Sequence, residues 1–277
     1  MSTTGFGRPD TLGSDMLFPM TTLNGQPASL EDVLPLALTS YGHFTSVRVE
    51  DGRIRGLSLH LERLVRDSRA VFGSDLDTGR VRDLVARALD GHSGPCVVRI
   101  TVHDPTLDIG RPADAGRPGV LVTVRAAGAI PLPPLRAKSV PYQRDLPQVK
   151  HCGLFGALHA RRVAQLAGYD DALFVGPDGH VSEGTTWNVG FISDEGVVWP
   201  EAPVLPGVTM ALLRQHVEHR VVPITLSRAK TAQAAFATNT AIGVRALTAV
   251  DDTPMADEHP LLDRLREAYL SLPGERL

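Results

Sequence analysis

The strongest constraint on the fold is one short stretch, Ala126 to Leu135 (AAGAIPLPPL), which holds three prolines and no charge. Proline fixes its own φ and donates no backbone hydrogen bond, so such a run is stiff, extended and unsuited to a sheet interior. It predicts a boundary between two lobes. Residues 1–20, polar and rich in Gly, Ser and Thr, read as a loosely held tail. Residues 21–125 read as a small N-terminal domain, 126–138 as the linker and 139–277 as a larger second domain.

Both sides mix helix and strand. Upstream, Ser29 to Thr39 is apolar enough for a short buried helix, and Phe44 to Glu50 alternates as a strand. Asp51-Gly52 marks a hairpin turn into Ile54-Arg55. Leu57, Leu61, Leu64, Val65 and Phe72 recur at helical spacing, which predicts a helix over Ser58–Phe72 with Gly73 as its stop. A helix over Thr78–Leu89 and strands over Cys96–His103 and Gly119–Arg125 complete this half. Downstream, a helix is expected over Leu154–Ala167, a strand over Asp171–Val175, a turn at Pro177-Asp178-Gly179 and a strand around Val189–Ile192. Pro206-Gly207 opens a helix expected to reach His219, and Leu261–Leu272 is the last amphipathic helix. The fold class this implies is α+β in two lobes.

Composition excludes more than it selects. A formal charge of −3 gives no pull toward nucleic acid or an anionic membrane surface. No apolar run is long enough for a membrane span, and the first 20 residues lack the pattern of a secretory signal. With Cys96 and Cys152 as the only cysteines there is no disulfide framework, and a cytoplasmic setting is expected. Basic residues are nearly all arginine; Lys138, Lys150 and Lys230 are the only lysines, so chemistry that needs an amine has three candidates.

Of these, Lys150 is flanked by Pro147, Val149 and Leu154, which point it into a packed region. A desolvated lysine gives up its proton more readily and becomes a nucleophile. Glu183 sits in the polar cluster SEGTTWN between apolar strands, either as a turn residue in solvent or as a carboxylate held beside a ring nitrogen. Arg63, three residues after His60 on one helical face, is either a surface charge or a bidentate anion clamp. Leu205-Pro206-Gly207-Val208-Thr209 enters a helix whose first amides are unpaired and attract anions. Asn239-Thr240-Ala241 ends a strand. His216 and His219, read as sharing a helical face, have no carboxylate or cysteine partner nearby, so no metal site is expected.

In this order and spacing the segments resemble the class IV (fold type IV) pyridoxal phosphate-dependent family. It includes branched-chain and D-amino acid aminotransferases and aminodeoxychorismate lyase. The resemblance runs from about Leu23 to Thr253. It implies a small N-terminal α/β lobe and a larger barrel-like C-terminal lobe that binds the cofactor. FTSVRVEDGRIRGLSLHLERL places Arg63 at the phosphate, and RDLPQVK makes Lys150 the residue that carries pyridoxal 5'-phosphate as a Schiff base. GYDDALFVGPDGHVSEGTTWN sets Glu183 at the pyridine nitrogen. VLPGVT places Leu205 against the ring and the amides of Val208 and Thr209 at the phosphate, and NTAIGVRALTAVDD adds Thr240. Phe44, Arg99, Arg111, Phe155, Thr185 and Ala241 fall on the substrate side. The implied reaction moves an amino group from a small-molecule amino donor to a 2-oxo acid, in a homodimer.

Four departures bear on substrate. Tyr41-Gly42-His43 stands where Gly-Asp-Gly is usual, Thr45 where glutamate often follows the phenylalanine, and Phe155 where branched-chain enzymes place a tyrosine. Met210 also replaces an arginine. Phe44-Thr45-Ser46 is closer to the Phe-Thr-Thr of aminodeoxychorismate lyases, which makes a lyase the rival reading. A non-catalytic member of the fold is the other, and retention of Lys150, Glu183 and Arg63 argues against it.

Overall fold

The computed structural model describes residues 21–277, so the tail expected over residues 1–20 lies outside the described residues. The first half contains β1 (Thr21–Leu23), β2 (Gln26–Pro27), α1 (Leu30–Thr39), β3 (His43–Glu50), β4 (Arg53–Ile54), α2 (Leu57–Phe72), α3 (Thr78–Ala88), β5 (Cys96–His103) and β6 (Gly119–Ala126). Strands β3, β5 and β6 pair antiparallel, with Ser46 opposite Arg99 and Arg99 opposite Thr123. Side chains alternate across the sheet. Val47, Val98, Ile100 and Val122 therefore pack against Leu57, Leu61 and Leu64 of α2 and Leu84 of α3. Phe44, Ser46, Arg99 and Arg125 stand on the opposite face. Gly73 closes α2 at φ +63°, its N–H donating to the Arg69 carbonyl, a backbone state that costs glycine little.

The second half contains β7 (Leu135–Pro141), α4 (Phe155–Leu166), β8 (Asp171–Val175), β9 (Val181–Gly184), β10 (Asn188–Ser193), β11 (Gly196–Pro200) and α5 (Val208–His216). It continues with β12 (His219–Val222), α6 (Leu226–Lys230), β13 (Ala234–Asn239), β14 (Gly243–Val250), β15 (Thr253–Pro254), α7 (Pro260–Ser271) and β16 (Glu275–Arg276). Strands β10, β13, β14, β7, β8 and β9 lie side by side in that order, and β9 pairs back onto β10 where Glu183 faces Asn188. The ring is closed, and a barrel-like second unit in a mixed α and β fold is what the sequence implied. Leu173, Val189, Ala235 and Leu247 share one apolar cluster. A second joins α5 and α7 to the strands through Met210, Leu213, Phe236 and Leu265. Ala160 and Ala164 of α4 cover Ala172 and Phe174.

Several local expectations are corrected. Helix α1 has no buried residue, and Leu30 and Leu38 are 75% and 73% exposed, because no other described element covers them. Strand β7 starts within the expected linker: Leu135 and Ala137 are buried, Arg136 is exposed, and the strand pairs with both β8 and β14. Strand β9 was not anticipated, since VSEG offers a single large apolar residue. Helix α5 stops at His216, three residues early, because Val217 is extended and β12 then pairs parallel with β11. His216 and His219 therefore do not share a helical face. The chain's last strand, β16, returns to the first sheet beside β4, so the C-terminus is not confined to the second unit. No helix among the described residues is long and apolar enough to cross a membrane.

Candidate active site

Lys150 sits in the loop between β7 and α4, yet its backbone is fastened to the first half. Its N–H donates to Asp67 Oδ2 at 2.9 Å, and its carbonyl accepts from the Phe44 N–H at 2.9 Å. Two further bonds close the seam, from Cys152 N–H to the Gly42 carbonyl and from Arg66 to the Gln148 carbonyl, each at 2.8 Å. The Asp67 carboxylate is fully buried and is itself held by Arg66 at 2.8 Å.

The side chain of Lys150 crosses the Phe44 ring, Nζ lying 4.8 Å from its centroid. It makes no ion pair among the described residues, whereas Lys230 is paired with Asp251 at 2.7 Å. Burial brings its pKa down to about 7, with Arg63 and Arg144 pushing the same way and Glu183 opposing them. An amine in that condition is substantially neutral at neutral pH and is nucleophilic.

Lys150 opens into a cavity of about 240 Å³ between the outer face of the first sheet and one end of the barrel. Phe44, Ser46, Arg99 and Arg125 line it from the sheet; Glu183, Asn188, Leu205 and Thr240 line it from the barrel. Glu183 is buried, and the Leu205 N–H donates to both its oxygens at 3.3 Å. Arg144 Nε lies 3.6 Å from Glu183 Oε1. Burial raises the Glu183 pKa to about 7, against the pull of Arg144, the Leu205 amide and Lys150.

Anion-binding capacity gathers on the same walls. Arg63 is buried; it donates to Thr45 Oγ1, and its Nε has no partner among the described residues. Desolvation lowers its pKa to about 10, which leaves it charged at neutral pH. Helix α5 begins at Gly207 with no side chain capping it, so its first amides are free to meet a ligand. A Cβ at Gly207 would stand 2.0 Å from Asn188 Oδ1, so only glycine fits this approach.

Of the residues expected from sequence, Lys150, Arg63, Glu183, Leu205, Val208, Thr240, Phe44, Arg99 and Ala241 line this one cavity. Thr209, in the first turn of α5 next to Val208, is buried and does not itself line the cavity. Three do not arrive. Arg111 is exposed on a short 3-10 turn and pairs with Asp114 at 2.8 Å. Phe155 is 84% exposed at the start of α4 and stacks on His159, while the preceding Leu154 faces inward. Thr185 turns into a buried knot, donating to Asp171 Oδ1 at 2.7 Å beside Arg161, and its neighbours Thr186 and Trp187 line the cavity instead.

Sequence reasoning missed Arg144, Asp67, His60, Ser46, Arg125 and Asn188. Arg144 opens the RDLPQVK segment and could have been flagged there. Ser46 follows from the alternation of β3, and Arg125 from its parity with Arg99 across two strands. No signal marked Asp67 as the partner of the Lys150 amide. Among the described residues no cluster of His, Cys, Asp and Glu could hold a metal.

The family model described as amino-transferase class IV matches residues 42–250, an interval that contains Lys150, Glu183, Arg63 and Thr240. The chain belongs to this family. A probable branched-chain-amino-acid aminotransferase of Rickettsia felis is 30% identical over 122 residues, 41% of this chain and 42% of the relative. The chain thus spans less than half the length of the Rickettsia relatives it matches. A putative branched-chain-amino-acid aminotransferase of Methanocaldococcus jannaschii is 28% identical over 234 residues, covering 76% and 78% of the two chains. The fold is shared with the T.th. branched-chain amino acid aminotransferase, solved with N-(5'-phosphopyridoxyl)-L-glutamate. That match has TM-score 0.80 and 22% identity, over 92% of this chain and 93% of that one. A putative 4-amino-4-deoxychorismate lyase of Legionella pneumophila has the same fold, with TM-score 0.73 and 24% identity over 86% and 92%.

Proposed function

We propose that this protein is a pyridoxal phosphate-dependent aminotransferase that passes an amino group from a small-molecule donor to a 2-oxo acid. One observation carries the reading. A neutralisable lysine, a buried carboxylate and an arginine with an uncapped helix start line one cavity, matching the cofactor's aldehyde, ring nitrogen and phosphate. The residues present fit that group, because Arg63 holds a buried Nε with no partner among the described residues and Gly207 leaves no Cβ between α5 and the cavity.

In this reading Lys150 Nζ holds the cofactor aldehyde covalently. Arg63, Thr240 and the amides of Val208 and Thr209 hold the phosphate, and Leu205 packs beside the ring. Glu183 would keep the ring nitrogen protonated, and Arg144 favours the ionised form of Glu183 that does so. When bound, the cofactor supplies an electron-accepting ring that spreads the charge left on the substrate α-carbon. With the cofactor bound, Lys150 Nζ would be the base that moves the proton at that carbon. Arg99 is placed to read a substrate carboxylate: its guanidinium lies 3.5 Å from the Phe44 ring centroid and has no acidic partner among the described residues. Arg125 adds a second cation to the same wall.

The lyase is the competing reading, and the placement of Thr45 weakens it. That residue is fully buried and bonded to His60, facing α2 rather than the cavity. Of Phe44-Thr45-Ser46, Thr45, which stands where glutamate is usual in the transferases, is therefore not on the substrate side, whereas Phe44 and Ser46 line the cavity. A homodimer in the cytoplasm completes the proposal; the exposed leucines of α1 support the former and the two unpaired cysteines the latter.

Borohydride reduction of the yellow protein should fix the cofactor on Lys150 alone. An amino donor should then abolish the violet absorbance, and a 2-oxo acid should restore it. A reduced adduct on Lys138 or Lys230 refutes the cofactor site. Pyruvate and 4-aminobenzoate from aminodeoxychorismate, with no half-reaction on any donor, refutes the transferase in favour of the lyase.

A further inference from the structure

His60 is fully buried, on a helix that also buries Leu57, Leu61 and Leu64 in the apolar core. Both of its ring nitrogens are engaged, and by different halves of the molecule. Nδ1 lies 2.7 Å from Thr45 Oγ1 on β3 and 3.2 Å from an Arg63 terminal nitrogen. Nε2 lies 3.4 Å from Thr240 Oγ1, in the β13–β14 turn of the barrel. The donors fix the protons. Arg63 can only donate, and it donates to Thr45 Oγ1, so the Thr45 hydroxyl proton is left for His60 Nδ1. Nδ1 is then an acceptor. Burial beside Arg63 and Lys150 keeps the ring neutral, which puts its one proton on Nε2, pointing at Thr240. Thr240 Oγ1 accepts that bond and keeps its own hydroxyl proton, free to donate into the cavity that both Thr240 and Arg63 line.

We infer that His60 is a positioning residue for anion binding: as a neutral, Nε2-protonated bridge it holds Arg63 and Thr240 in register across the two halves, with both donors presented to one anion. It touches neither the anion nor the reacting atoms. The inference rests on the cofactor reading, in which that anion is the phosphate of pyridoxal phosphate, but it concerns only how the protein's own donors are set. A bridge of this kind affects ligands that carry a phosphate and spares those that do not, which a residue needed only for general packing would not do.

The test compares equilibrium binding of pyridoxal phosphate and of pyridoxal, its phosphate-free counterpart, to wild type, His60→Gln and His60→Ala, with urea unfolding of each apoprotein alongside. In His60→Ala, pyridoxal phosphate should bind about tenfold more weakly or worse, the loss of a few oriented donors. Pyridoxal should bind within about twofold of wild type, by the same principle. His60→Gln offers an acceptor and a donor on one planar group and should recover part of the loss. Competition by inorganic phosphate against pyridoxal phosphate should weaken in parallel with the affinity. Equal weakening of both ligands, or no weakening of either, overturns the inference. Failure of wild type to bind either ligand overturns the cofactor reading instead. Should His60→Ala not fold, His60→Gln carries the comparison, and a phosphate-independent loss there overturns the inference as well.

Discussion

At the scale of single residues, the site depends on how far burial moves two titrating groups toward each other. Lys150 comes down to about 7 and Glu183 goes up to about 7, both driven first by desolvation, and each favours the charged form of the other. The neutral amine is the nucleophile, so the rate at which the apoprotein captures pyridoxal phosphate, trapped by borohydride, should rise with pH through about 7. It should then level off well below the ordinary lysine value of 10.5. Removing the negative charge in Glu183→Gln withdraws support from the ammonium, so Lys150 deprotonates more easily and the inflection should move to lower pH. An inflection that stays near 10, or one that ignores Glu183→Gln, would show that the amine is neither desolvated nor coupled to that carboxylate.

At the scale of elements, the start of α5 matters most, and it depends on a glycine. The Asn188 side chain is pinned by its bond to the Leu205 carbonyl at 2.9 Å, so a Cβ at Gly207 has nowhere to push it. Gly207→Ala should cost about 1–3 kcal/mol of stability as an overpacked contact, and should weaken cofactor binding by shifting the first turn of the helix. Urea unfolding and cofactor titration measure the two effects; wild-type values in both would mean that the turn has slack. The start of this helix was legible from Pro206-Gly207 but its end was not. Helices α2, α3 and α4 and the strands β3, β5 and β6 were legible because each has a clear hydrophobic period and a turn or cap beside it. Lys150, Glu183, Arg63 and Thr240 were legible because they lie in contiguous family-like segments. What escaped were elements and contacts defined across the chain. Strand β9 has no pattern of its own and exists because Glu183 and Gly184 pair with β10 and β8. Asp67 was unreadable as a partner of Lys150, since the two are far apart in sequence. Phe155 and Thr185 were misplaced because alignment gives a residue's position but not which way it faces at a helix start or in a tight turn.

At the scale of the whole molecule, two features bear on assembly. The halves are joined by backbone bonds at Lys150 and by the return of β16, where the Glu275 carboxylate accepts from the Ser58 N–H at 3.2 Å. The cavity between them is therefore built within one chain. Helix α1, by contrast, has its other face against His103, which bonds the Asp32 carbonyl, and leaves Leu30, Leu34 and Leu38 exposed every fourth residue as one apolar stripe. Exposed apolar stripes suit protein contacts, and in our reading a second copy occupies the one on α1; α4 exposes another through Phe155, Leu158 and Leu166. The purified protein should therefore sediment at twice its chain mass of 29.7 kDa. Leu34→Glu together with Leu38→Glu puts two charges where apolar contact is needed and should shift the equilibrium to monomer. The secondary structure should not change, since neither side chain contributes to the buried core. Sedimentation velocity across a concentration series decides the point: a wild-type protein that is monomeric throughout, or a dimer that the double variant leaves intact, removes α1 from the interface.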